Sequence, residues 1–183
     1  MTIRTFIALE IPDFILDEIL KIRDSVIMHN EKYSWESKDK LHVTIKFLGD
    51  TEENQVKKIL LGLSELVPVY QKFYLELSYC GFFKSNGIPR ILWAGLKENL
   101  ELEKFVNEID ILCSGFGLER EKRRFHPHIT LLRIKNENMI PNLKPLENYK
   151  LPDITFTGEK ITIFQSMLTK TGSIYKPIES FLI

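Results

Sequence analysis

The chain has 183 residues, 44% of them hydrophobic and 27% charged, an ordinary balance for a globular protein long enough to bury its own core. Lys plus Arg and Asp plus Glu each total 25, so the formal net charge is zero. That excludes a protein that coats long nucleic acid, which needs a strongly basic surface, but not one that grips a single phosphate.

Cys80 and Cys113 are isolated thiols, which fits a reducing compartment better than a disulfide framework and points to the cytoplasm. The opening segment Met1–Pro12 is apolar but interrupted by Glu10 and Pro12, so it reads as a first strand and not as a signal peptide. No stretch reaches the roughly 18 apolar residues of a membrane span.

Residues 13–29 carry Leu16, Ile19, Leu20, Ile22, Val26 and Ile27 at helical spacing. His29, beside Asn30 at the end of that helix, reads as a capping or surface residue. A strand follows at His42-Val43-Thr44-Ile45, then a helix over 52–66 with Val56, Ile59, Leu60, Leu63 and Leu66 on one face. Phe73 to Cys80 alternates as a half-buried strand, and Lys84 to Pro89 is a loop of turn residues. Arg90 to Ala94 begins another strand, and a third helix and the strand His128-Ile129-Thr130-Leu131 follow. Between them, Arg120-Glu121-Lys122-Arg123-Arg124 is the one basic concentration, a solvated loop or an RNA contact. Residues 135–152, with Pro141, Pro145 and Pro152, form an irregular connection. Strands at 154–157, 161–168 and 174–178 close the chain, the last two joined at Thr171-Gly172-Ser173.

One offset organises this pattern. Arg4, Ala8, His42 and Thr44 recur as Arg90, Ala94, His128 and Thr130, each 86 residues later and without a gap. The first helix face maps onto Leu102, Phe105, Val106, Glu108, Leu112 and Cys113, with Glu108 the one break. Each half, centred on 4–48 and 90–134, reads strand, amphipathic helix, strand with His-x-Thr. No linker divides the chain, so residues 1–183 are expected to form a single two-lobed α+β domain.

On a strand, residues i and i+2 share a face. His42 and Thr44 therefore point together, as do His128 and Thr130. Two related lobes packed about a two-fold axis would bring both pairs to one groove. Such a quartet suits a phosphodiester: one neutral imidazole takes a proton from the attacking oxygen while the other, protonated, gives one to the leaving oxygen. The Thr hydroxyls can hold the non-bridging phosphate oxygens. The competing chemistry is a metal site on the His126-x-His128 pair, but no third ligand is evident and His126 reads as accessory.

At these residues the chain resembles the 2H phosphoesterase superfamily, and within it the RNA 2′,3′-cyclic phosphodiesterases, also known as 2′-5′ RNA ligase-like proteins. The likeness runs from Arg4-Thr5-Phe6-Ile7-Ala8-Leu9 through Leu41–Gly49, Pro89–Gly95 and Phe125–Arg133 to a hairpin spanning Ser166 to Tyr175. It implies two pseudo-symmetric antiparallel β-sheets with helices outside and the active-site groove between them. It implies hydrolysis of a terminal 2′,3′-cyclic phosphate to a 2′-phosphate, with no metal or nucleotide cofactor. The proton donor maps onto His42, the acceptor onto His128, and phosphate binding onto Thr44 and Thr130. Spacing alone does not order the two His roles, because the halves are equivalent. Phe47 is a candidate base-stacking residue and Arg133 a candidate phosphate contact, although on a regular strand both point away from the His-Thr face unless a bulge intervenes. Lys46 shares that face by parity and is an alternative cation. The expected partners are RNA ends carrying a 2′,3′-cyclic phosphate, such as tRNA fragments, with no membrane and a monomeric chain. Reversible 2′-5′ ligation at the same site and a non-catalytic RNA-end binding module are the competing functions. Against the module, binding alone would be served better by Arg or Lys than by two His.

Overall fold

The computed structural model describes residues 2–28, 30–170 and 172–183. The expected roles of His29 and of Thr171 lie outside these residues. Eight strands form in the order β1 (Thr2–Glu10), β2 (His42–Glu52), β3 (Phe73–Ser85), β4 (Ile88–Leu96), β5 (His128–Arg133), β6 (Thr155–Gly158), β7 (Lys160–Thr169) and β8 (Gly172–Leu182). The main helices are α1 (Asp13–Val26), α2 (Glu53–Leu66) and α3 (Leu100–Ser114). Each begins where its sequence offers a start signal. Asp13 places negative charge in the first turn of α1, Glu52 and Gln55 form a capping box on α2, and Asn99 accepts from the Leu102 N–H of α3.

The strands run in space as β6-β3-β4-β5-β2-β1-β7-β8. Every pairing is antiparallel. Among the described residues, β2 and β5 pair at one position only, Val43 with Ile129. The arrangement is one eight-stranded sheet, not the two separate sheets expected, and its four-stranded halves, β2-β1-β7-β8 and β5-β4-β3-β6, meet at a single rung. Val43 and Ile129 stand 86 residues apart, as do the limits of β1 and β4, so the rung lies where a two-fold axis relating the halves would pass.

The face of β2 turned away from the groove is covered by α2 and α3, which also pack on each other. A Cβ on Gly62 would fall 2.6 Å from Leu112 Cδ1, so α2 and α3 meet closely at that point. The buried residues form one apolar cluster drawing on both halves of the sheet and all three helices. The 84–89 loop is tighter than the sequence suggests. It reduces to a two-residue turn at Asn86-Gly87, both at positive φ (51° and 80°), the conformation that a right-twisted hairpin favours. The stretch 135–152 is irregular but not structureless, holding short helical turns at Glu137–Met139, Ile140–Leu143 and Lys144–Leu146.

One buried ion pair breaks the core. Lys46, 7% exposed, donates to Asp110 Oδ1 at 2.5 Å and to the Glu119 carbonyl at 2.9 Å. Asp110 also receives Arg120 and the Glu121 N–H. Burial opposes the Asp110 charge, but these three donors outweigh it and hold its carboxyl below the usual carboxylate range. Removing one partner of such a buried pair strands the other, at about 3–5 kcal/mol, whereas replacing both with apolar groups does not. Asp110→Ala should therefore destabilise the fold by about that amount in urea unfolding, and Lys46→Met/Asp110→Leu should recover most of it. Because the folded-state pKa is depressed, the Asp110 contribution is complete above about pH 4 and is lost on acidification below it, a loss that Asp110→Asn should not show.

Candidate active site

The His-x-Thr residues reach the groove through the way β2 and β5 deform. Residues 42–47 and 128–133 share one burial sequence: half-buried, buried, half-buried, buried, buried, exposed. The two consecutive buried positions mark a bulge in each strand. Along β1 the register steps from Ala8↔Thr44 to Ile7↔Lys46, leaving Ile45 unpaired. Along β4 it steps from Trp93↔Thr130 to Leu92↔Leu132, leaving Leu131 unpaired. The extra residue inverts the alternation that follows. Phe47, 65% exposed, and Arg133 thereby return to the His-Thr side, while Lys46 turns into the core.

The expectation that Lys46 shares the groove face is thus corrected. Strand parity predicted it, the bulge at Ile45 breaks the parity, and the ammonium is committed to Asp110 on the opposite side. Three arginines of the basic run have acidic partners within the chain. Arg120 binds Asp110 and Asn107, Arg123 binds Glu121 at 3.3 Å, and Arg124 reaches Glu98 at 3.0 Å and Glu103 at 3.3 Å.

The groove is lined by Phe6, Glu36, Lys40, His42, Thr44, Phe47, Thr130, Arg133 and Tyr175. With Val43 opposite Ile129 in an antiparallel rung, His42 stands across from Thr130 and Thr44 across from His128. The two imidazoles occupy opposite corners of the quartet. His128 is not among the residues lining the groove; the rung sets it across from Thr44.

Each ring is oriented by the backbone two residues before it. His128 Nδ1 donates to the His126 carbonyl at 2.7 Å, leaving Nε2 free for proton transfer. At His42 the Lys40 backbone, also two residues earlier, favours the charged ring. Aromatic walls complete both settings. His42 stacks on Phe6 at 4.9 Å between ring centres, with Tyr175 edge-on at 5.6 Å and Phe164 beyond, at 6.2 Å. His128 meets the edge of Phe83 at 4.7 Å. These walls exclude water and disfavour the imidazolium, and the neighbouring Arg133 charge adds to the effect. Burial pushes His42 down to about 4 and lowers His128 as well. Glu10, paired with His42 in the β1 register, acts in the opposite sense and favours the His42 cation.

His126 lies with its ring against Trp93 at 4.8 Å, and among the described residues no group of three or more His, Cys, Asp or Glu is arranged to hold a metal ion. No helix among those residues is long and apolar enough to cross a membrane. Phe6, Glu36, Lys40 and Tyr175 are groove residues that the sequence did not single out. Phe6 was open to discovery through its antiparallel register with Phe47. Tyr175 was not, because only the fold returns β8 to β2.

The family model described as LigT like Phosphoesterase matches residues 9–93 and 95–175. The RNA 2′,3′-cyclic phosphodiesterase of Methanocaldococcus jannaschii is 35% identical over 97% of this chain and 99% of its own length. That of Thermotoga maritima is 30% identical over 94% and 91%. Among solved structures, the Escherichia coli LigT complex with 3′-AMP superposes with a TM-score of 0.77 at 22% identity, covering 100% of this chain and 99% of that one. The duplicated His-x-Thr strands, the two half-sheets meeting at one rung and these matches over nearly the whole length agree: the chain belongs to the LigT-like phosphoesterase family.

Proposed function

We propose that this protein hydrolyses 2′,3′-cyclic phosphate ends of RNA to 2′-phosphates. The observation that carries the reading is the quartet itself: two imidazoles at opposite corners and two hydroxyls between them, set by one rung and two equivalent bulges. The M. jannaschii and T. maritima relatives bear the name of that activity.

In this reading the cyclic phosphate sits over the rung, its non-bridging oxygens accepting from Thr44 and Thr130. His128, neutral, takes a proton from water through Nε2 as the water oxygen bonds to phosphorus. On the opposite side the P–O3′ bond breaks and His42 delivers its proton to O3′. The products are a 2′-phosphate and a free 3′-hydroxyl, and the two rings have exchanged protonation states. The donor role of His42 is what the family resemblance implies; Glu10 favours its charged ring, against the larger effect of burial. Arg133 offsets charge building on the phosphoryl oxygens, and the exposed ring of Phe47 offers a stacking surface for the base. The protein works without metal, as a monomer in the cytoplasm, on the ends of short RNAs such as tRNA fragments. The two halves are copies of one strand-helix-strand unit within a single domain.

Incubation of an oligonucleotide ending in 2′,3′-cyclic phosphate with protein in excess chelator should yield the 2′-phosphate. His42→Ala and His128→Ala should each lose about 10²–10⁴-fold in rate, and Thr44→Val or Thr130→Val about 10²-fold. No conversion by the wild-type protein, or abolition by chelator, overturns the proposal. Adding a 5′-hydroxyl RNA and analysing products separates hydrolysis from ligation.

The depressed pKa values set the pH dependence. The reactive form has one ring charged and one neutral, so its population peaks between the two apparent pKa values of the pair. Both lie below the ordinary value of 6.5, one near 4. The kcat/KM profile should therefore be a bell with its maximum below pH 6.5. A bound phosphate anion stabilises imidazolium, so NMR titration of His42 should move upward from about 4 when a nucleoside monophosphate is added. A maximum above neutrality would contradict this electrostatic account.

A further inference from the structure

Every polar side chain lining the groove is a cation or a hydrogen-bond donor toward an anion, with one exception. Glu36 is a carboxylate. It is 20% exposed at its side chain, and its Oε1 lies 3.5 Å from Arg133 Nε. Its backbone is fixed independently of that pair: the Glu36 N–H donates to the Leu131 carbonyl at 2.9 Å, and Trp35 bridges Leu132. Glu36 is thus pinned against β5 beside the bulge that turns Arg133 toward the groove. Tyr175 lies within reach of both charges, Glu36 opposing ionisation of its phenol and Arg133 favouring it, with Arg4 contributing in the same sense as Arg133. The other charged or titratable groups facing Glu36 in the groove are Lys40 and His42.

An anion that draws the Arg133 guanidinium away leaves the Glu36 carboxylate facing the ligand. The repulsion scales with the ligand's charge, so a dianion suffers about twice what a monoanion does. From this placement we infer that Glu36 discriminates by charge, admitting a singly charged phosphodiester and disfavouring a doubly charged phosphomonoester. The inference rests on the phosphodiesterase reading, in which the diester is the substrate and the monoester the product. A ring-closed phosphodiester keeps one negative charge at all working pH values. Hydrolysis creates a monoester that loses its second proton near pH 6. Glu36 therefore weakens product binding as soon as the product forms, at a smaller cost to substrate binding.

The test compares wild type, Glu36→Gln and Glu36→Asp. Gln keeps the side-chain shape and the backbone bond to Leu131 but removes the charge, and Asp restores it. Adenosine 2′-monophosphate binding is measured by calorimetry at about pH 5 and about pH 8, on either side of the second ionisation. KM and kcat are measured with a cyclic-phosphate-ended oligonucleotide. Glu36→Gln should bind the monoester about tenfold tighter at the higher pH and nearly unchanged at the lower, with KM for the cyclic ester falling less than about threefold. Glu36→Asp should behave as wild type. His42 faces Glu36 and titrates itself, so each comparison is made between variants at one pH and the His42 titration is followed by NMR in each protein. Equal tightening of both ligands, equal tightening at both pH values, or no tightening overturns the inference. Monoester binding requires no turnover, so failure of the wild-type protein to hydrolyse the cyclic ester would count against the phosphodiesterase reading alone.

Discussion

Val43 and Ile129 pair across the seam between two half-sheets that otherwise diverge, and the arrangement of the site follows from that single rung. Both side chains are fully buried, so the rung is anchored in the core while its neighbours on either side face the groove. A one-residue slip would place Val43 or Ile129 in the groove and drive an imidazole into the hydrophobic interior. Burial of the middle residue of each His-x-Thr therefore specifies the position of the polar residues that flank it. The bulges at Ile45 and Leu131 shift the register by one residue just beyond the quartet and turn Phe47 and Arg133 back to its side.

The same geometry sets the electrostatics. Rings packed against Phe6, Phe164, Tyr175 and Phe83 lose water, and neutral imidazole becomes the resting form. In the proposed reaction the incoming phosphate is more than cargo: its charge raises the proton affinity that burial lowers. Glu10 and Glu36 act on opposite sides of this balance. One supports a cation on His42, and the other tempers the cation at Arg133.

Much of this was legible in the sequence. The 86-residue offset located both halves, and the limits of β1 and β4 obey it. The His-Thr face followed from strand periodicity. Lys46 shows where periodicity stops working: parity holds only along a regular ladder, and a bulge leaves no mark that composition can reveal. Phe47 and Arg133 were recoverable only by supposing that bulge. The basic run 120–124 read as a solvated loop or an RNA contact, and its acidic partners Asp110, Glu98 and Glu103 could not be named because they lie on or beside another element. Glu36 and Tyr175 gave no local signal, since their significance depends on Arg133, which the fold brings to them.

The two half-sheets are unequal in how the chain builds them. One, β5-β4-β3-β6, is made from a continuous segment, while the other takes β1 and β2 from before that segment and β7 and β8 from after it. The inserted segment begins and ends at one place, where Phe73 pairs with Gly158 and Lys72 meets Glu159. There Gly158 offers the bare Cα against which Leu9 of β1 and Leu75 of β3 both close. Pairing β1 with β7 joins residues such as Ile7 and Ile163, 156 positions apart along the chain. Once the inserted half-sheet has formed, its clasped ends shorten that path to roughly 70 residues, easing the entropy of closure. Formation of the inner half-sheet thus lowers the entropic cost of the outer one, and the His42 pocket is complete only with Phe164 and Tyr175 in place.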